Sequence, residues 1–355
     1  MVNLANLRLC LVSLLAAVAA ATVSFGLAGS AAAQGIAAPA VAPSDKVTSD
    51  ALAGRFSAYI MPAKGFAGSH LIGQMPAGRA KVPTLTYDLQ GNLAPATTLL
   101  QRYYPDDMGY FGGPVLATLS QVNIYWANDN GSIWGSPATF ESYLNTSKMI
   151  ELLNRYAFQA QSNGHWPVAS YYWYFPGGGP GALIYDNQVQ SEVQALAAAD
   201  VSAGRQSGAS WSTIYHVFLP PGTDECFTNP AQGCYNPDGK APGPFAFCAY
   251  HGYTQLPSGE YVAYDVQPYA EVNGCEQSGT GLEAQDQANV LGHETAEAIS
   301  DPVPGGGWYA EWPTGGGEIG DECAFVPIKQ TLAPGHVYYI QDWYSTVHHE
   351  CDNVY

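Results

Sequence analysis

Residues 280–302 read TGLEAQDQANVLGHETAEAISDP and predict one long buried helix. Residues 280–283 fit the T-x-x-E capping box, so we expect the helix to begin there. Pro302 disfavours helical geometry at the residue before it, so we expect the helix to end at Ser300. Most side chains in its second half are small or apolar, which is typical of a buried helix.

One polar stripe interrupts this helix. Side chains three and four residues apart share a face, and the stripe consists of Asp286, Asn289, His293, Glu297 and Ser300. His293 and Glu297 have the i, i+4 spacing of the ligands in the H-E-x-x-H metallopeptidase helix. Glu294 follows His293, on the side from which a general base reaches a metal-bound water. Burying these three groups is costly unless they are paired or bind a metal. The pattern therefore predicts a metal-dependent hydrolase site.

A third ligand is expected from the acidic Gly-rich loop GEIGDEC at residues 317–323. Asp321 is the favoured ligand and Glu318 the alternative, and a disulfide through Cys323 would clamp the loop. Glu297 stands where the motif has its second histidine, which lowers the positive charge of the site and makes the metal a weaker Lewis acid. Zn²⁺ is the expected metal, and the extra oxygen ligand leaves Ca²⁺ or Mn²⁺ open.

The motifs of the C-terminal half resemble those of known secreted proteins. The segments HETAEAISDP at 293–302, WY at 308–309 and EIGDEC at 318–323 resemble a group of secreted bacterial proteins with the pattern SHELAEAITDP…WYD…EIGDxC. The segment CAYH at 248–251 resembles an upstream segment of the same group. That group is distantly similar to the plant EXORDIUM or phosphate-induced protein family, and the resemblance covers roughly residues 115–355.

This resemblance implies a zincin-like fold and a metallopeptidase activity. It carries over four expected site residues: His293, Glu294, Glu297 and Asp321. Many plant members lack the His-Glu pair, so a non-catalytic extracellular or cell-wall-associated binding protein stays open as the alternative. Such a protein would use a metal or a hydrogen-bond network to hold the helix to the acidic loop.

Other residues are weaker candidates for the site. Tyr309 can donate a hydrogen bond to a tetrahedral oxyanion, although core packing explains it equally well. His251 either lines the cleft or is a structural histidine, and the structural role is favoured. Serine-hydrolase chemistry lacks a G-x-S-x-G elbow, while a glycosidase carboxylate pair has no fixed spacing and stays open.

The N-terminus predicts export. Residues 1–8 carry one positive charge, residues 9–23 are apolar, and Ala31–Ala33 supply small side chains for cleavage, so residues 1–33 are interpreted as a signal peptide. We expect a secreted, extracellular or periplasmic protein that is not attached to a membrane after cleavage. With 12 basic and 30 acidic residues, the chain lacks the basic character that nucleic acid or anionic membranes require. The expected partner is a polypeptide or cell-wall substrate.

Cysteine content supports the same compartment. Of seven cysteines, six lie beyond the predicted signal peptide: Cys226, Cys234, Cys248, Cys275, Cys323 and Cys351. An even number in an exported chain predicts three disulfides. Sequential pairing is favoured because the first two cysteines flank a loop that contains Asn-Pro. A cysteine metal site is disfavoured because no C-x-x-C pair exists.

Strands and helices alternate along the chain, which favours α/β or α+β, and with the resemblance we expect α+β. The expected architecture is a mixed sheet with an active-site helix and a Gly-rich, disulfide-stapled C-terminal region. We divide the chain into a disordered leader at 34–50, an irregular N-terminal segment at 51–113 and a zincin-like domain at 114–355. Helices are predicted at 138–160 and 188–201, and strands at 115–126, 170–175, 213–219, 245–250 and 261–266.

Overall fold

The computed structural model describes most of the chain beyond the N-terminal segment. The described residues are 57–64, 71–73, 86–87, 93–94, 107–117, 119–126, 131–157, 168–173, 181–310, 317–324 and 326–353. The predicted signal peptide and the leader at 34–50 lie outside them. None of the described helices is both long and apolar enough to cross a bilayer.

The described part of the chain is a mixed α+β structure with four α-helices. These are α1 Pro137–Leu144, α2 Met149–Tyr156, α3 Asp186–Ser202 and α4 Glu283–Ser300. The strands up to the second half of the chain are β1 Ser57–Pro62, β2 Leu71–Gly73, β3 Thr86–Tyr87, β4 Leu93–Ala94, β5 Gly109–Tyr110, β6 Ser120–Trp126, β7 Val168–Trp173 and β8 Ala182–Tyr185. The remaining strands are β9 Thr213–Phe218, β10 Thr223–Cys226, β11 Cys234–Tyr235, β12 Phe247–Gln255, β13 Tyr261–Gln267, β14 Trp308–Tyr309, β15 Pro327–Ala333, β16 His336–Gln341, β17 Trp343–Ser345 and β18 Glu350–Asp352.

A seven-stranded sheet in the order β2-β1-β12-β13-β9-β6-β7 forms the centre of the fold. Strands β2, β1, β12 and β13 pair antiparallel, whereas β13, β9, β6 and β7 pair parallel, so the sheet is mixed. Strands β1 and β2 come from the segment predicted as irregular and belong to the same sheet as the later strands. The domain boundary between residues 113 and 114 stays a prediction.

Helix α4 lies between this sheet and the β15–β16 hairpin. Val290 packs in the core on one side of the helix, and Leu291 and Ile299 pack in the core on the other. Every residue from Asp286 to Ser300 is buried, as expected for a helix covered on both sides. Polar side chains on this helix are therefore removed from water and need partners inside the protein.

The helix ends at Ser300 as predicted, but the capping box at its start is wrong. It begins at Glu283 with Leu282 as N-cap, and no side chain caps it. Gly281 has φ of 67°, a left-handed conformation that interrupts any helix before it. The Glu283 carboxylate instead accepts hydrogen bonds from the backbone N–H groups of Ala270 (3.3 Å) and Glu271 (2.6 Å). A tertiary contact thus overrides the local capping motif.

The helix predicted at 138–160 is divided into α1 and α2. Hydroxyl groups at the break bond backbone carbonyls: Thr146 Oγ1 donates to Ser142 O or Tyr143 O, and Ser147 Oγ donates to Leu144 O. Such side-chain bonds compete with the helical ladder. The strand predicted at 115–126 is shorter than expected and begins at Ser120.

Three sequential disulfides are present, as predicted. They are Cys226–Cys234, Cys248–Cys275 and Cys323–Cys351. The last one ties the acidic loop at 318–323 to β18. Since a disulfide limits the freedom of the chain it closes, this bond keeps the loop close to the C-terminal strands.

Candidate metal centre

Three of the predicted ligands converge at the end of α4. His293 Nε2 lies 3.0 Å from Glu297 Oε1 and 3.7 Å from Asp321 Oδ1. One ligand atom from each residue lies within 4.8 Å of the other two. His293 and Glu297 are one helical turn apart and 0 % exposed, so the helix presents an imidazole and a carboxylate to the acidic loop.

The loop is held against the helix by its backbone. Asp321 N–H donates to Glu297 Oε1 (3.1 Å), and Tyr344 N–H donates to Ile319 O (3.0 Å). A Cβ atom on Gly320 would lie 2.8 Å from both Glu297 Oε1 and His293 Nδ1. A larger residue at this position would therefore force the loop or the two ligand side chains to move.

The proton of His293 is placed by a glutamine on β16. His293 Nδ1 lies 3.2 Å from Gln341 Oε1, and Gln341 Nε2 donates to Gly320 O at 2.6 Å. The bond to Gly320 orients the amide so that its oxygen faces the imidazole. Nδ1–H then donates to that oxygen, and Nε2 faces Glu297 Oε1. Metal-binding histidines are oriented in this way by a bond from the second ring nitrogen.

His251, on β12, also belongs to the cluster. Its Nδ1 lies 3.3 Å from Glu294 Oε2 and 3.6 Å from Glu297 Oε2. Its Nε2 lies 3.2 Å from Asp301 O, and a carbonyl can only accept, so Nε2 carries a proton. The sequence favoured a structural role for His251 over one in the cleft, and its position beside Glu294 and Glu297 leaves that choice as a prediction.

Asp301 fixes the carbonyl that orients His251. Its carboxylate accepts backbone N–H bonds from Gly305 (2.5 Å), Gly306 (3.0 Å) and Gly307 (2.5 Å). These bonds close the turn that follows α4. Sequence reasoning read Asp301 only as the end of the helix and missed its role as a support for the cluster.

The other predicted site residues lie apart from His293. Glu318 is fully buried, and its Oε1 lies 3.6 Å from His251 Nε2, whereas Asp321 converges with His293. This geometry favours Asp321 as the third ligand. Tyr309 lies on β14, which pairs with Gly109, and its ring packs edge-on against Phe111 at 6.3 Å between centroids. Its catalytic role stays a prediction.

Burial and charge shift the pKa values of the cluster in opposite directions. Burial acts to lower the pKa of His293, but the charge of Glu297 outweighs it and raises the pKa to about 10. The same competition, with Glu294 and Glu297 as partners, raises the pKa of His251 to about 10. Burial would raise the pKa of Glu297, but the charge of His293 lowers it to about 2. Burial raises the pKa of Glu294 to about 7, which suits a general base at neutral pH.

Several buried atoms of the cluster make no hydrogen bond within the described part of the chain. They include His293 Nε2, Glu294 Oε1 and Glu297 Oε2. An orphaned buried polar atom costs about 1–3 kcal/mol. Ligands at roughly 2.0–2.2 Å from a tetrahedral zinc ion lie about 3.3–3.6 Å apart, close to the 3.0 and 3.7 Å observed around His293 Nε2. These atoms and their spacing therefore fit the donor set of a divalent metal.

No family model, no curated protein and no solved structure matches this chain. The resemblance to zincin-like and EXORDIUM-like proteins therefore stays a prediction.

Proposed function

We propose that this protein is a secreted metal-dependent peptidase whose metal is held by His293, Glu297 and Asp321. The observation that carries the proposal is the convergence of these three side chains around His293 Nε2, a buried atom without a hydrogen bond among the described residues. Zinc is the favoured metal because the set includes an imidazole, which is a common zinc ligand. Mn²⁺ and Ca²⁺ are the alternatives.

When bound, a divalent metal would supply Lewis acidity that polarises a peptide carbonyl and acidifies water. Glu294 provides the general base, because its carboxyl group lies one residue from His293 and its pKa is about 7. At neutral pH a substantial fraction of Glu294 is ionised and can accept a proton. Gln341 keeps the His293 imidazole in the tautomer that binds through Nε2.

Three disulfides support the proposed export, since such bonds persist in oxidising compartments. The proposed zincin-like fold draws its support from the mixed sheet and from the position of α4 beside β12 and β13. A polypeptide substrate is inferred from the motif resemblance.

The decisive test separates metal binding from hydrolysis. Glu294→Gln should retain the metal at His293, measured by elemental analysis, and lose hydrolysis of a denatured protein substrate. His293→Ala should lose both. His348→Ala is the matched control, because its side chain is 40 % exposed and pairs with Asp352. Wild-type rates in Glu294→Gln would contradict the peptidase proposal.

One observation favours a second candidate, a non-catalytic extracellular binding protein with a structural metal. His293, Glu294 and Glu297 are each 0 % exposed, whereas a catalytic metal keeps a position open to substrate. Under this alternative, chelation lowers the melting temperature while no peptidase activity is detected before or after it. Activity that disappears with chelation and returns with Zn²⁺ would exclude the alternative.

A further inference from the structure

A second set of metal-ligand atoms lies next to the first. It consists of His251 Nδ1 and one carboxylate oxygen each from Glu294 and Glu297, all within 4.8 Å of one another. The three residues are 0 % exposed. The two helical glutamates come from α4, and the histidine comes from β12 across the interface between helix and sheet.

Glu297 belongs to both sets, and each of its oxygens faces a different one. Oε1 lies 3.0 Å from His293 Nε2 and accepts the Asp321 N–H at 3.1 Å. Oε2 lies 3.6 Å from His251 Nδ1 and makes no hydrogen bond with the described residues. A carboxylate whose oxygens point at two separate donor sets has the geometry of a bridging ligand.

The separations around His251 Nδ1 are long for direct ion pairs. Charge-assisted N–H···O bonds are about 2.7–2.9 Å long, whereas Nδ1 lies 3.3 Å from Glu294 Oε2 and 3.6 Å from Glu297 Oε2. Atoms that share a metal at roughly 2.0–2.2 Å have separations in this range. The orientation of the ring agrees, because Nε2–H is bonded to Asp301 O and Nδ1 faces the two carboxylates.

We propose that Glu297 bridges two divalent metal ions, one held with His293 and Asp321 and the other with His251 and Glu294. The two ions would lie about 3.5–4 Å apart, as in two-metal hydrolases. The proposal rests on the proposed function for the first ion and extends it to a binuclear centre. Glu294 binds the second ion through Oε2, and its Oε1, which has no hydrogen bond among the described residues, keeps the proton-accepting role.

The experiment counts metal ions per chain. Full-length protein is stripped with chelator, loaded with Zn²⁺, dialysed against metal-free buffer and measured by elemental analysis. Wild type should hold two equivalents, and His251→Ala one. His348→Ala, the surface control, should keep two. His251→Gln, which replaces more of the ring volume, is measured if His251→Ala fails to fold by circular dichroism.

A second measurement needs no variant. Protein loaded with Mn²⁺ should give the electron paramagnetic resonance spectrum of a spin-coupled pair, because the two ions share the Glu297 carboxylate. If wild type binds only one equivalent of Zn²⁺ and His251→Ala binds the same amount, or if the Mn²⁺ spectrum shows isolated ions only, the binuclear proposal is overturned. Failure of the proposed function looks different: either no metal is bound by wild type, or two coupled ions are bound and no peptide is cleaved.

Discussion

The described residues include two buried histidine clusters, which differ in how their ring nitrogens are satisfied. His216 on β9 lies 2.5 Å from Asp265 Oδ2 through Nδ1 and 3.1 Å from Gln121 Oε1 through Nε2. Both ring nitrogens therefore have an acceptor. His293, equally buried, has an acceptor for Nδ1 and none of suitable geometry for Nε2 among the described residues.

The difference shows which feature makes the α4 cluster the candidate metal site. Both clusters combine histidine with carboxylates, and both histidines are 0 % exposed. At His216 burial acts to lower the pKa, but Asp265 raises it overall. The protonated ring therefore links β9 to Asp265 on β13. Only the α4 cluster leaves a ring nitrogen orphaned at ligand distance from carboxylates. Burial and composition alone would not have separated the two.

The largest expected effect is on stability at the His216 cluster. His216→Ala leaves Asp265 buried without its cationic partner, and breaking a buried pair from one side costs about 3–5 kcal/mol. Urea unfolding monitored by circular dichroism measures the free energy. We expect wild-type metal content in whatever fraction folds. A loss of metal in folded His216→Ala would show that the two clusters are not independent.

Removal of the C-terminal disulfide should lower both stability and Zn²⁺ affinity. Cys323→Ser with Cys351→Ser should cost about 3 kcal/mol and weaken Zn²⁺ binding, because the loop that carries Asp321 loses its tie to β18. The matched control is Cys226→Ser with Cys234→Ser, which opens a disulfide on β10 and β11. The control should lower stability and leave Zn²⁺ affinity unchanged in calorimetric titrations. Equal loss of affinity in both pairs would contradict the role given to the loop.

Gly320→Ala should lower the Zn²⁺ affinity of the α4 cluster and leave the contacts of His216 unchanged. The new Cβ would lie 2.8 Å from two site atoms, so the loop must move, and we expect Zn²⁺ affinity to fall at least about 10-fold, as for other changes around metal ligands. Gly292→Ala is the control on the same helix, since its Cβ would meet the Phe140 ring at 3.4 Å. Unaltered affinity in Gly320→Ala would mean that the loop is not seated as described.

The smallest effects are those of pH. As pH rises, the stability contributed by the His216 cluster should fall, whereas Zn²⁺ affinity at the α4 cluster should rise. The folded-state pKa of His216 is raised above the ordinary value. Its contribution to stability is therefore complete below about pH 6.5 and decreases as pH rises through the raised pKa, by at most about 1.4 kcal/mol per pH unit. Zn²⁺ affinity should instead rise with pH, because bound histidines must be neutral.

Unfolding and Zn²⁺ titrations over a pH series measure both responses. His216→Gln should flatten the stability profile and leave the affinity profile as it is. If stability and Zn²⁺ affinity of the wild type change with pH in the same direction, the distinction between the clusters is contradicted.

Local sequence determined much of α4 and its ligand pair. The i, i+4 spacing of His293 and Glu297 places both on one face whatever the rest of the fold does, and Pro302 stops the helix at Ser300. The pairing of Cys226 with Cys234 also followed from the short chain between them. These features depend on neighbours along the chain, so spacing alone predicts them.

Only the tertiary structure decided the surroundings of that pair. His251 comes from β12 and Gln341 from β16, and they meet α4 because the helix is enclosed between the sheet and the hairpin. The same enclosure draws Glu283 to the backbone of residues 270–271 and displaces the predicted capping box. Contacts between residues distant in sequence depend on how whole elements pack, and helix periodicity carries no information about that packing. The bridging position of Glu297 therefore emerges only when helix, sheet and loop are assembled.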